Sequence, residues 1–95
     1  MKTVSGTLKH GLKIGDKTHL EFVMREPTTE DLFEAEDVHG TDTPLKFKGA
    51  LIARVLVSVG TYTGPFTFGM VRGLKPVDFL TLSEKYAEAE KLGEG

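Results

Sequence analysis

The stretch MREPTTEDLFEAED, residues 24 to 37, decides how the fold is read. Pro27 ends the strand before it, because proline has no backbone N–H to give to a β-ladder. Thr28 followed three residues later by Asp31 is typical of the capping box that begins a helix. Glu30 and Asp31 then fall in the first helical turn, where the helix dipole favours carboxylates. The stretch therefore predicts a junction between a strand and a helix, with structural roles for Thr28 and Asp31.

Hydrophobic periodicity on either side of this junction predicts an α+β fold. Two runs between residues 4 and 25, separated by Gly15-Asp16, are typical of an antiparallel β-hairpin, and the second run alternates well. Three helices are predicted, at about residues 28–38, 44–59 and 76–92. In the first helix an inward apolar stripe is expected from Leu32, Phe33, Ala35 and Val38.

The end of the second helix is decided by length. ALIARVLVSV is apolar almost all round, and VLVSVGTY alone also fits a strand, but the length from Pro44 to Val59 favours a helix. Residues 60 to 75 carry four glycines and predict a structured loop, with one short helical turn near 69–72. We expect the hairpin to pack on three helices in a single domain spanning residues 1–95.

Composition excludes several classes of protein. The chain has 95 residues, no Cys and a formal net charge of -2, so disulfide scaffolds, thiolate zinc sites and a cysteine nucleophile are excluded. The histidines lack HxxH or HExxH spacing, and no glycine-rich phosphate loop is present. Glu30 and Glu34 lie one helical turn apart, as a magnesium site requires, but a solvated or docking face is favoured. We expect no enzyme activity, no cofactor and no metal.

Apolar runs are too short and too interrupted to cross a bilayer, which needs roughly 20 residues. The N-terminus also lacks the apolar region of a secretory signal. We therefore expect a cytoplasmic protein without a membrane association.

Charge is sorted along the chain. Residues 26–42, the acidic segment, hold seven acids and no bases, whereas residues 43–77, the basic segment, hold five bases and no acids. The five bases are Lys46, Lys48, Arg54, Arg72 and Lys75. Opposed faces of this kind favour oriented association with another protein, although pairing between the two segments within one molecule explains the sorting equally well. A nucleic-acid-binding regulator is the alternative function, but five bases form a thin footprint.

Arg54 lies in an apolar stretch, where an arginine is rarely left unpaired. Its guanidinium is expected to reach a carboxylate of the first helix or Asp78, in which case Arg54→Ala should cost a few kcal/mol. The competing interpretation is an arginine that extends into solvent.

Candidate partner-binding residues fall in two groups. The glycine-rich loop carries an aromatic and methionine cluster that either anchors a partner or caps the core, and helix one carries carboxylates that could steer the encounter. The cluster is Tyr62, Phe66, Phe68 and Met70, and the carboxylates are Glu34, Glu36 and Asp37.

Three stretches together carry a resemblance. They are MREPTTEDLFEAED, the apolar run ALIARVLVSVG with Ala53-Arg54, and LKPVDFLTLSEKYAEAEKL with Asp78-Phe79. Over roughly residues 18 to 92, these stretches resemble the Mu-like phage tail assembly chaperone family. The resemblance implies a small non-enzymatic protein of the host bacterial cytoplasm, absent from the mature virion. It would bind the tape measure protein and keep it soluble until tail tube subunits assemble around it. Contact with the tail tube protein and self-association are further options under this resemblance.

Overall fold

The chain forms a three-stranded antiparallel sheet with helices packed on it, as seen in a computed structural model that describes residues 2–40 and 42–92. The strand order is β1-β2-β3. The elements are β1 (Thr3–Ile14), β2 (Lys17–Arg25), α1 (Thr29–Val38), α2 (Pro44–Val55), β3 (Leu56–Val59), α3 (Phe68–Arg72) and α4 (Pro76–Leu92). The predicted α+β class with an N-terminal hairpin is confirmed.

The hairpin turns at Gly15, whose φ of 64° lies in the left-handed region that glycine adopts without strain. Strands β1 and β2 then pair from Ile14↔Lys17 to Thr3↔Arg25. Between Thr7 and Leu12 the register shifts, because five residue steps on β1 oppose two on β2. This bulge leaves backbone groups of β1 without ladder partners, and they are satisfied from α4 as described below.

The prediction of one helix over residues 44–59 is wrong at its C-terminal end. Helix α2 stops at Val55, and Leu56–Val59 forms β3, which pairs antiparallel with β2 through Phe22↔Val59 and Val23↔Ser58. The run LVSV satisfies both helical and strand patterns, and its β-branched residues fit a pleated surface well. Pairing with the free edge of β2, a tertiary contact, decides between them.

The core lies between the sheet and the helices. Strand β2 contributes Phe22 and Met24, while α4 packs mainly on β1 and buries Leu82 and Tyr86. The glycine-rich loop holds α3, which confirms the short helical turn predicted near residues 69–72, so the described part of the chain has four helices in all.

Helix α1 does not turn its predicted stripe inward. Ala35 is buried, but Leu32 is 40% exposed, Phe33 61% and Val38 63%. The inward face is formed instead by Asp31 and Ala35, because a charged cluster lies under the helix start. Helix α1 thus presents apolar side chains among its carboxylates on the solvent side.

Candidate functional site

Asp31 is the buried centre of the acidic segment. It forms the predicted capping box with Thr28, whose backbone N–H donates to Asp31 Oδ2 over 2.8 Å. Arg25 binds both carboxylate oxygens, with Nη1 2.7 Å from Oδ2 and Nη2 2.8 Å from Oδ1. Arg54 Nε lies 2.9 Å from Oδ1, which is the ion pair expected for Arg54. The pKa of Asp31 lies well below its ordinary value, above all because Arg25 donates hydrogen bonds to its carboxylate. Burial acts in the opposite direction and raises the pKa, but the hydrogen bonds from Thr28 and Arg54 lower it further.

Arg25 is the part of this cluster that the sequence analysis missed. It also donates to the backbone carbonyls of Glu26 and Arg54, so one guanidinium joins β2, α1 and α2. The available signal was an arginine at the last position of a strand, six residues before the capping carboxylate. The cluster is saturated by these contacts, and it is structural.

Asp78 has a different role from the one expected, because it does not meet Arg54. Its carboxylate accepts three backbone N–H groups of the β1 bulge, from Lys9 at 2.7 Å, His10 at 3.0 Å and Gly11 at 2.9 Å. Burial alone raises the pKa of Asp78, but these three hydrogen bonds outweigh it and the pKa is lowered. Asp78 therefore fastens α4 to the bulged strand.

The predicted aromatic cluster is divided by the structure. Phe66 and Met70 pack toward the core, where they line a narrow space with Leu8, Leu12 and other core residues. Tyr62 donates its hydroxyl to the Pro65 carbonyl over 2.6 Å, and its ring meets Phe66 edge-on at 5.2 Å. These side chains hold the loop itself.

Phe68 also packs against the core, but it lies at the wall of an open apolar groove. The groove, here called the α2–α4 groove, has a volume of about 260 Å³. It is lined by Leu45, Lys46, Gly49, Phe68, Val71, Arg72, Leu74, Pro76 and Phe79. Leu45 is 74% exposed at its edge, and the only charged residues in this lining are the cations Lys46 and Arg72.

Gly49 makes room for the Phe68 ring. A Cβ at this position would lie 2.9 Å from Phe68 Cε1, closer than real Cβ contacts permit. On its other sides the ring meets His39, with centroids 4.3 Å apart, and the Arg72 guanidinium 5.9 Å from the ring centroid. A glycine inside a helical pattern is a signal for such close packing, although the sequence alone does not identify its neighbour.

The predicted carboxylates lie elsewhere. Glu34, Glu36 and Asp37 are on α1, and none of them belongs to the lining of the groove as the described residues define it. Glu36 and Asp37 are exposed, and Glu34 is half-buried. The structure thus separates the two groups of predicted partner-binding residues into an acidic helix surface and an apolar groove with basic residues.

The five bases of the basic segment do not act as one group. Arg54 is held by Asp31, Arg72 lies over Phe68, and the Lys48 ammonium lies 4.3 Å from the ring centroid of Tyr86. Tyr86 is itself buried, which raises its pKa to about 12, and its hydroxyl has no hydrogen-bond partner within the described chain. A nucleic-acid footprint is weakened accordingly, because Arg54 and Lys48 are engaged within the molecule.

Two searches of the described residues were negative. Within residues 2–40 and 42–92 no three His, Cys, Asp or Glu side chains converge on a position that could hold a metal ion. Over the same ranges no helix is long and apolar enough to span a membrane.

Comparison with known proteins gives a consistent result. A profile of the family described as "Tail assembly protein gp41" matches residues 8–94. The Mu-like prophage FluMu protein gp41 of Haemophilus influenzae is 32% identical over 88 residues, covering 80% of this chain and 69% of that protein. No solved structure matches the chain with significance.

Proposed function

This chain belongs to the tail assembly protein gp41 family of Mu-like phages, and we propose that it acts in tail assembly as a chaperone of the tape measure protein. In this role it binds the tape measure protein in the host cytoplasm, keeps it soluble until tail tube subunits enclose it, and is then released. It performs no catalysis, needs no cofactor and is absent from the finished virion.

The observation that carries the proposal is the α2–α4 groove. A tape measure protein is a long, largely helical chain that exposes apolar stripes before it is enclosed. A groove with apolar walls receives one face of such a helix, through side chains spaced by three or four residues. Leu45 and Phe68 on the groove walls provide the apolar contact, and such contact shields surface that would otherwise associate with other copies.

The charges of the groove indicate which helices it selects. Lys46 and Arg72 favour a helix whose apolar stripe is flanked by Asp or Glu, and they disfavour one flanked by Lys or Arg. We place the partner contact on Phe68 and Leu45, which line this groove, and not on Phe66 and Met70, which line the narrow space among core residues.

A solubility assay on co-expressed proteins tests the proposal. The phage's tape measure protein is expressed alone, with this chain, and with Leu45→Ser or Lys46→Glu variants. Both substituted residues are exposed, so the fold is expected to survive. Leu20→Ser is the matched control, since Leu20 is an exposed leucine, 42% accessible, outside the groove lining.

The expected result is a soluble tape measure protein with the wild type and the control, and a precipitated one with the groove variants. If wild-type chain leaves the tape measure protein insoluble, the chaperone function is wrong. If the groove variants maintain solubility as well as the control does, the function stands and its assignment to this groove is wrong.

A further inference from the structure

The solvent side of α1 carries an apolar knob surrounded by acids. Phe33 is 61% exposed, although a phenylalanine on a helix normally turns inward. Glu30, Glu36 and Asp37 lie three or four residues from it, so they share its side of the helix, and all three are exposed. We call Phe33 with these three carboxylates the acidic knob.

The α2–α4 groove is complementary to this knob in size and in charge. The open groove, with a volume of about 260 Å³, has room for an aromatic side chain between its walls. Its walls are apolar and its cations are Lys46 and Arg72, whereas the knob is an aromatic ring with carboxylates. Buried aromatic anchors with charges of opposite sign around them are the usual composition of a binding hot spot.

The knob of a molecule cannot enter the groove of that same molecule. Helix α1 packs on α2 through its opposite face, where Asp31 and Ala35 are buried, so Phe33 points away from the body of its own chain. The Asp31 cluster and the tilted contact between the His39 and Phe68 rings hold α1 in this orientation.

We propose that the acidic knob of one copy docks in the α2–α4 groove of a second copy, with Phe33 between the groove walls and its carboxylates facing Lys46 and Arg72. The two surfaces are different parts of the chain, so the contact is either made twice across the two-fold axis of a dimer or repeated head to tail into chains or a closed ring. This inference concerns the chain alone and does not rest on the proposed function.

Self-association of this kind would cover the groove while no other partner is present. An acidic amphipathic helix of another protein would then compete with the knob for the same walls. Because charge pairs at a partly exposed contact are screened by salt, the association should weaken as ionic strength rises.

Sedimentation velocity on complementary variants tests the proposal. Phe33→Ser removes the knob and keeps the groove, whereas Lys46→Glu/Arg72→Glu reverses the groove charge and keeps the knob. Val57→Ser, at an exposed position of β3 outside both surfaces, is the control. Thermal midpoints verify that each variant is folded.

At low ionic strength and millimolar concentration, wild type and control are expected to form dimers and larger species that dissociate as salt is added. Each knob or groove variant alone should be monomeric. In an equimolar mixture, the Lys46→Glu/Arg72→Glu variant supplies an intact knob but a charge-reversed groove. The Phe33→Ser variant supplies an intact groove but no knob. The mixture should therefore stop at a 1:1 heterodimer.

Three outcomes would overturn the proposal. Wild type could stay monomeric over the whole concentration range, either variant could still associate as the wild type does, or the mixture could give no heterodimer. The tape measure assay is independent of all three, so failure here leaves the proposed function standing, and failure there leaves this contact standing.

Discussion

Replacing Asp78 with Asn should destabilise the protein more than its position on a helix suggests. The side chain keeps its shape, but the carboxylate that serves three backbone N–H groups becomes an amide with a single acceptor oxygen. That oxygen can still serve His10 and Gly11, which share Oδ2, while the Lys9 N–H then faces an amide N–H₂. One charge-assisted bond is lost, its donor is left unpaired and two bonds are weakened.

The magnitude follows from these contacts. A hydrogen bond to a charged group contributes about 1.5–3 kcal/mol, so we expect Asp78→Asn to cost roughly 3 kcal/mol. For a domain of this size that corresponds to a fall of about 12–24 °C in the thermal midpoint. Total stability is expected to be only about 5–14 kcal/mol, so the loss is a large fraction of it.

Thermal unfolding followed by circular dichroism measures this change, with Glu84→Gln as the control. Glu84 is an exposed acid on the same helix, and neutralising it should change stability by about 0.5 kcal/mol or less. Amide hydrogen exchange should also accelerate at Lys9, His10 and Gly11 in the Asp78 variant. A midpoint within about 4 °C of the wild type, equivalent to 1 kcal/mol or less, would show that the bulge does not depend on this carboxylate.

Three other predictions follow from the buried polar groups. In urea unfolding, Arg25→Ala should lower the free energy of unfolding by about 3–5 kcal/mol, and Arg54→Ala by only about 1–2 kcal/mol. The difference is expected because Arg25 continues to bind both oxygens of Asp31 when Arg54 is removed, and equal losses would contradict this. Tyr86→Phe should change stability by about 1 kcal/mol or less, or raise it, since the hydroxyl is unpaired in the described chain; a larger loss would reveal a hidden partner. The folded-state pKa values of Asp31 and Asp78 are lowered, so these carboxylates stabilise the folded protein fully above their unfolded pKa, near 4. This stabilisation is lost as pH falls through the folded pKa values, and a thermal midpoint that holds steady down to pH 2 would contradict it.

Local signals predicted the elements whose ends are fixed by local chemistry. Helix α1 begins beside Thr28 because the capping box is contained within four residues, and α4 begins at Pro76 because proline suits the first helical turn. The end of α2 was not predictable in this way. Leu56–Val59 has no local terminator, and only pairing with β2, whose partner residues lie 32 to 37 positions earlier in the chain, converts it to a strand.

The candidate site was only partly predictable for a related reason. Composition marked the glycine-rich loop as aromatic, but it could not show that Phe66 lines a narrow space among core residues while Phe68 lies at the wall of an open groove. That difference depends on Gly49 of another helix, which leaves the space that the Phe68 ring occupies. The three N–H groups that meet Asp78 depend on a bulge in β1, and no residue near Asp78 signals it.

The sorting of charge along the chain now has a physical interpretation. If the acidic and basic segments existed to pair within one molecule, several ion pairs should join them. In the described residues Asp31–Arg54 is the ion pair that does so, and Asp31 is already neutralised by Arg25, which lies outside both segments. The other acids of α1 and the cations Lys46 and Arg72 remain on separate surfaces. Sorted charge that is not used internally favours contacts between molecules, where like charges on each face exclude wrong orientations and opposite charges align the correct one.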